Sequence, residues 1–103
     1  MSSSLEISAR CADSTDYIEL RGNIDASAEQ QLQRLPEMVR SQVVRFDFSR
    51  AGRINSMGIA LLLRCFKHIR EEKKAEIRLR ELNPTNTILF KMTGVFMLAS
   101  HEK

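Results

Sequence analysis

The sequence predicts an α/β fold of α+β-like character, a mixed sheet of four to five strands with helices packed mainly on one face. Three observations predict it. Strand-like and helix-like segments alternate along the chain. Each strand-like segment alternates apolar with polar residues, which leaves one sheet face solvated; a sheet covered on both faces would show near-continuous apolar runs. The chain has 103 residues, enough for one small domain over 1–103 and too few for two.

The elements follow in order. Leu5, Ile7 and Ala9 alternate with Glu6, Ser8 and Arg10 in a first strand over residues 5–10. A second strand over 16–21 places Ile18 and Leu20 on one face and Tyr17, Glu19 and Arg21 on the other, and Gly22 ends it. Between them Ala12–Thr15 suits a hairpin turn. Residues 26–40 read as a helix with a capping-box pattern, Ser27 with Gln30, and an apolar face of Ala28, Leu32, Leu35 and Val39. Pro36 removes a hydrogen bond and clashes with the preceding turn, so a kink or a break into two shorter pieces is expected there.

Val44, Phe46 and Phe48 alternate with Arg45 and Asp47 in a third strand. A tight basic loop, Arg50–Ile54, then leads into an apolar helix running from Ser56 to about Glu72. A fourth strand is centred on Ile77 and Leu79. Asn83 and Pro84 form a good helix start, as N-cap and first helical residue. Ile88, Leu89 and Met92 supply that helix's apolar face, Gly94 its stop. Val95–Leu98 reads as a short last strand or a packed tail. Two helices, 26–40 and 56–72, sit in strand–helix–strand units that should be right-handed parallel crossovers.

The totals exclude several classes. No apolar run approaches the ~20 residues of a membrane span, so no membrane insertion is expected. Met1–Ser4 lacks the basic and apolar regions of a secretory signal, so a cytoplasmic location is expected. Cys11 and Cys65 lie far apart without CxxC spacing and read as free thiols in a reducing compartment. His68 and His101 are not spaced to join them in a metal site. Net charge is +3, with acids and bases mixed. Few aromatics are left to stack on bases, so nucleic-acid binding has no support. Neither a metal nor a cofactor is expected.

Ser56 is the chemically informative residue. It opens a helix, where backbone N–H groups and the helix dipole favour added negative charge. Three roles suit it: helix cap, nucleophile or phosphate acceptor. The nucleophile lacks support, because no base is near in sequence and no Gly-x-Ser-x-Gly elbow is present. The glycine pattern and lysine of a P-loop are missing too. With a step of about 100° per residue, Ile59, Leu62, Cys65, Phe66 and Ile69 form the core stripe of this helix. Arg64, Lys67 and His68 lie opposite, with Met57 and Ala60 toward that outer side and Leu61 at its edge. Apolar groups on an outward face make a docking patch; packing under a neighbouring loop is the equal alternative. A phosphate on Ser56 adds close to two negative charges at a favourable helix start, within possible reach of Arg50 and Arg53. It would also oppose a hydrophobic or acidic partner on the patch.

These residues resemble the STAS domain family, named for sulfate transporters and anti-sigma factor antagonists. In the small bacterial antagonists a strand ends in Asp, and after a short loop Asp-Ser-Ser-Gly opens a helix. Here the stretch stands as Asp47-Phe48-Ser49, the loop Arg50–Ile54, and Asn55-Ser56-Met57-Gly58. The family's Gly-Glu-Leu-Asp appears as Gly22-Asn23-Ile24-Asp25, and its late signature as Met92-Thr93-Gly94-Val95. Asn55 and Met57 depart from the pattern, which leaves Ser56 the sole acceptor in the motif.

The resemblance implies a STAS-like fold and a non-enzymatic regulatory role. The unphosphorylated protein would bind an anti-sigma factor or related serine kinase. Phosphorylation of Ser56 would release it, and a PP2C-type phosphatase would restore it. The partner-binding set expected from the helix face and this resemblance is Asp25, Arg53, Asn55, Ser56, Met57, Gly58, Ala60, Leu61 and Arg64. Asp25 enters by analogy alone. A second function, from a different class, is a STAS-like structural subunit of a lipid-transport ABC ATPase complex, with the same helix docked permanently. Small-ligand or nucleotide binding has no sequence feature of its own.

Overall fold

A hairpin starts the fold. In this computed structural model, which describes residues 4–102, β1 (Glu6–Ala12) and β2 (Thr15–Ile24) pair antiparallel. Most of the N-terminal segment read as lacking a secretory signal, Met1–Ser3, lies outside the described residues, as does Lys103. Asp13 and Ser14 form the turn with φ of 53° and 62°. Two successive left-handed residues give the type I′ pattern, whose twist matches the flanking strands. The second strand does not end at Gly22. It continues to Ile24 through register irregularities, with Gly22 at φ 106° and so close to the carbonyl oxygen of Ser4 that a Cβ would sit 2.2 Å from it. Glycine bends the strand here instead of stopping it.

Three further strands add in parallel, giving one five-stranded mixed sheet in the order β1-β2-β3-β4-β5. They are β3 (Val43–Ile54), β4 (Glu76–Arg80) and β5 (Ser100–Glu102). The basic loop expected over Arg50–Ile54 is absent. That segment is the second half of β3, because the extended β2 gives it a partner: Arg21 opposes Arg50, Gly22 opposes Ala51 and Ile24 opposes Ile54. The parallel neighbours β2, β3, β4 and β5 are joined by segments carrying α1 (Glu29–Arg34), α2 (Ser56–Glu72) and α3 (Pro84–Thr93).

The expected helix over 26–40 is broken into a 3-10 turn (Ala26–Ala28), α1, and a second 3-10 turn (Leu35–Met38) with Pro36 in its first turn. Its start is capped by Asp25, whose carboxylate accepts from the backbone N–H of Ser27, and not by the Ser27–Gln30 box. The apolar positions still point inward: Ala28, Leu32, Leu35 and Val39 are buried. The connection into β3 is pinned by buried Asp16, which accepts from the N–H groups of Arg40 at 2.7 Å and Ser41 at 2.8 Å.

One sheet face carries the core. Ile18, Leu20, Val44, Phe46, Phe48, Ile77 and Leu79 are buried against Ile59, Leu62, Cys65, Phe66 and Ile69 of α2 and Phe90 of α3. Phe46 meets Phe66 at 5.0 Å between ring centroids, and Phe48 meets Phe90 at 5.5 Å. The opposite face is polar. Glu102 of β5 pairs with Arg45 at 3.2 Å, Arg78 at 3.3 Å and Arg80 at 3.7 Å, and Arg10 lies over the Tyr17 ring. The C-terminal expectation changes accordingly. Val95–Met97 is a 3-10 turn, and the last strand is β5, where His101 stacks on Phe96.

In α3 the buried residues are Asn86 and Phe90, one turn apart. Of the expected apolar face, Leu89 is half-buried, while Ile88 (59% exposed) and Met92 (79%) point to solvent. The face is rotated because Phe90 joins the aromatic chain from Phe48 to Phe96.

No helix among the described residues is long and apolar enough to cross a membrane. Both cysteines are free, Cys11 exposed and Cys65 buried. Burial pushes the Cys65 thiol up to about 12, so it holds its proton at neutral pH. In the native protein at pH 8 a thiol reagent is therefore expected to modify Cys11 alone, with Cys65 reacting only after denaturation. Mass spectrometry of the labelled peptides checks this; two labels on the folded chain would refute the packing of α2.

Candidate functional site

The site is built where the ends of β2 and β3 meet the start of α2. Asn55 leaves β3 in extended conformation and caps α2, its side-chain oxygen accepting from the Gly58 N–H at 2.8 Å. Its own N–H donates to the Ile24 carbonyl at 3.3 Å, which ties the helix start to the end of β2. Capping is thus assigned to Asn55, and the Ser56 side chain has no hydrogen-bond partner among the described residues. Ser56 is exposed, in the first turn of a 17-residue helix. Replacing Asn55 by alanine removes the cap and should cost about 1 kcal/mol; Asn55→Asp, which keeps an acceptor, should recover most of it. Urea unfolding curves of the two variants check the ordering.

The expected set divides. Arg53, Asn55, Ser56, Met57, Ala60 and Arg64 are exposed together along the end of β3 and the outer face of α2, with Met57 at 50%. Asp25 is half-buried and follows Ile24, whose carbonyl receives the Asn55 N–H, so the topology does bring it to this end of the sheet. Its hydrogen bonds from the Ser27 hydroxyl and N–H hold its carboxyl below the usual range. A carboxylate with a depressed value keeps its favourable contacts above the ordinary carboxylate pKa and loses them as pH falls through the lowered value.

Two members do not present side chains. Leu61 is only 4% exposed. It lines a groove between α1 and α2 with Leu32, Pro36 and Cys65, so of the apolar residues expected in the docking patch only Met57 and Ala60 are exposed. Gly58 is buried because the chain of β2 lies directly over it. Its part is close packing, which leaves no side chain for a partner to touch.

Neither histidine attends Ser56. His68 lies three turns along the same helix, about 18 Å of axial rise, and His101 stacks on Phe96.

Sequence reasoning missed the contribution of α3. Asn83, which caps α3, and Thr85 and Asn86 of its first turn line one cleft with Asn23, Arg53 and Asn55. The helix start at Asn83 is legible locally; its approach to Asn55, 28 positions earlier, is a long-range product of the sheet order. Ile88 and Met92 of α3 and Met97 of the turn after it are exposed, which the apolar periodicity of α3 did not disclose for the first two.

A mixed five-stranded sheet with its core and helices on one face is the fold of STAS-like domains. The family model described as "Mlab, STAS domain" matches residues 7–98, and the chain belongs to the STAS domain family. Solved structures agree on the fold. An anti-sigma factor antagonist from Mycobacterium paratuberculosis superposes with a TM-score of 0.77 at 16% identity, covering 98% of this chain and 89% of that one. The Bacillus cell fate determinant SpoIIAA in its phosphorylated form gives a TM-score of 0.65 at 18% identity, covering 95% and 92%. A sulfate transporter family protein from Wolinella succinogenes gives 0.72 at 12% identity, covering 85% and 73%. At these identities the likeness establishes the fold alone. No curated protein matches the chain by sequence.

Proposed function

We propose that this protein is a non-enzymatic regulator of the anti-sigma factor antagonist type, which docks a protein partner through the start of α2 and is switched by phosphorylation of Ser56. The observation that carries the reading is the division of labour at the helix start. Asn55 does the capping, which leaves the Ser56 hydroxyl exposed and unengaged beside the apolar Met57 and Ala60. A phosphate there meets the positive end of a long helix, so the fold tolerates it. It also places close to two negative charges on the surface a partner must desolvate. Binding is then switched without unfolding.

The partner is an anti-sigma factor or a related serine kinase with an ATP site of its own, and a PP2C-type phosphatase reverses the modification. Support comes from the family match and from structural neighbours described as anti-sigma factor antagonists. The chain acts as substrate and ligand of these enzymes, in the cytoplasm where they work. Incubation with the cognate kinase and ATP, followed by mapping of the phosphosite, tests this. Phosphate is expected on Ser56 alone; normal phosphorylation of Ser56→Ala would reject the assignment.

A second reading keeps the surface and drops the switch: permanent docking as a structural subunit of a lipid-transport ABC ATPase complex. Asn55 and Met57 favour it, since they replace the carboxylate and second serine of the kinase-substrate motif. Stoichiometric copurification with an ATPase, indifferent to Ser56→Asp, would decide for it.

A further inference from the structure

The sheet has two edges among the described residues. One is β5, three residues long; the other is β1, seven residues of regular strand. Edge strands are commonly blunted by proline, lysine, a bulge or brevity, because their unpaired N–H and C=O groups template further pairing. β1 contains neither proline nor lysine, and its register with β2 is unbroken from Glu6 opposite Arg21 to Ala12 opposite Thr15.

The turn fixes which backbone groups are left over. In a two-residue hairpin the flanking pair, here Ala12 and Thr15, exchanges hydrogen bonds, and bonded pairs alternate from there. Ser8 and Arg10 therefore aim their N–H and C=O groups at β2, while Ile7, Ala9 and Cys11 aim theirs outward. The Leu5 carbonyl accepts from Gln31 at 2.7 Å, so the open row starts at Ile7. Ala9 opposes buried Ile18 and shares its face of the sheet, yet Ala9 and Cys11 are exposed. No helix overhangs this part of the edge.

The side chains match a second copy of the same strand. In an antiparallel pairing centred on Ser8, Ile7 of each chain opposes Ala9 of the other, and these residues exchange the free backbone bonds. Glu6 of each chain then opposes Arg10 of the other at a non-hydrogen-bonded position, where side chains approach most closely. Both residues lie on the polar face. The Glu6 side chain is 74% exposed and its ion pair with Arg21 is stretched to 4.0 Å. Arg10 is held on the same face, over the Tyr17 ring. Centring the pair on Ile7 or Ala9 instead sets Glu6 against Ser8 or Ala12 and matches no charges.

We propose that β1 is a self-association edge, through which two copies of this chain join antiparallel, Ile7 against Ala9 and Glu6 against Arg10, with their sheets continuous. This interface is independent of the reading of Ser56. An interface one strand wide is small, so a reversible dimer, half formed at about 0.1 mM, is expected. Sedimentation equilibrium of the full chain reads it. Glu6→Arg and Arg10→Glu each create two like-charge pairs, and each alone is expected to weaken the dimer about tenfold. Mixed in equal amounts, the two variants regain opposite charges at both pairs and are expected to associate as tightly as the parent. Ala9→Pro deletes an outward N–H, which an edge strand accepts, and is expected to leave a folded monomer; if it does not fold, the charge variants decide alone. A parent chain that stays monomeric up to about 1 mM overturns the proposal and leaves the edge to a strand of another protein. A dimer that neither charge variant weakens, or that their mixture fails to restore, overturns it too, as does a folded Ala9→Pro variant that dimerises like the parent.

Discussion

Gly58→Ala is expected to destabilise the protein by about 2–4 kcal/mol. A Cβ at this position would lie 2.0 Å from the carbonyl oxygen of Ile24 and 2.7 Å from its carbonyl carbon. Both atoms are backbone, fixed by the β2–β3 pairing and by the hydrogen bond from Asn55, so nothing flexible can yield. Alanine favours a helix over glycine by about 1 kcal/mol, but the overlap is larger and α2 must lift off the end of β2. Gly94→Ala is the informative comparison. Gly94 has φ 86° and nothing within 4 Å of its Cβ position, so only left-handed strain of about 1–2 kcal/mol applies. Urea unfolding should rank Gly58→Ala as the less stable. A Gly58→Ala protein as stable as the parent would mean that α2 does not start against β2 as described.

Ser56→Asp is expected to weaken partner binding by about 2–5 kcal/mol, the range for a charge buried in an interface without its counter-charge. Ser56→Ala should bind as tightly as the parent, because it adds no charge to the surface and removes no hydrogen bond among the described residues. Stability should hardly change in either variant, since Asn55 performs the capping. That combination separates a binding switch from a folding defect. Calorimetric titration of the partner with both variants reads the first quantity, and thermal melts read the second. Equal affinities for Ser56→Asp and Ser56→Ala would reject the switch and leave permanent docking.

Much of the fold was legible in short-range pattern. The extent of α2, from Ser56 to Glu72, followed from its apolar stripe, and the start and stop of α3 followed from Asn83, Pro84 and Gly94. Pro36 announced the break after α1. What was not legible depends on partners distant in sequence. Residues Arg50–Ile54 read as a loop because a basic stretch with glycine carries no strand period; it is the extension of β2 past Gly22 that recruits them. β5 has three residues and no pattern of its own, and it exists because β4 offers an edge. At the site, Ser56, Met57 and Ala60 were correctly placed outward by helical periodicity. Leu61 was not, since its burial depends on how α1 and the turn after it fold over α2. The convergence of Asn23, Asn55, Asn83 and Asn86 was invisible for the same reason: four separate asparagines become one cleft only through the sheet order.

The most direct test of the central claim is a pair of pull-downs, run side by side with Ser56→Ala and Ser56→Asp proteins as baits and quantified by mass spectrometry. The account predicts a protein with a kinase-type ATP site that is enriched on the alanine bait and lost from the aspartate bait, with both baits equally folded. The same partners recovered in equal amounts on both baits would contradict it.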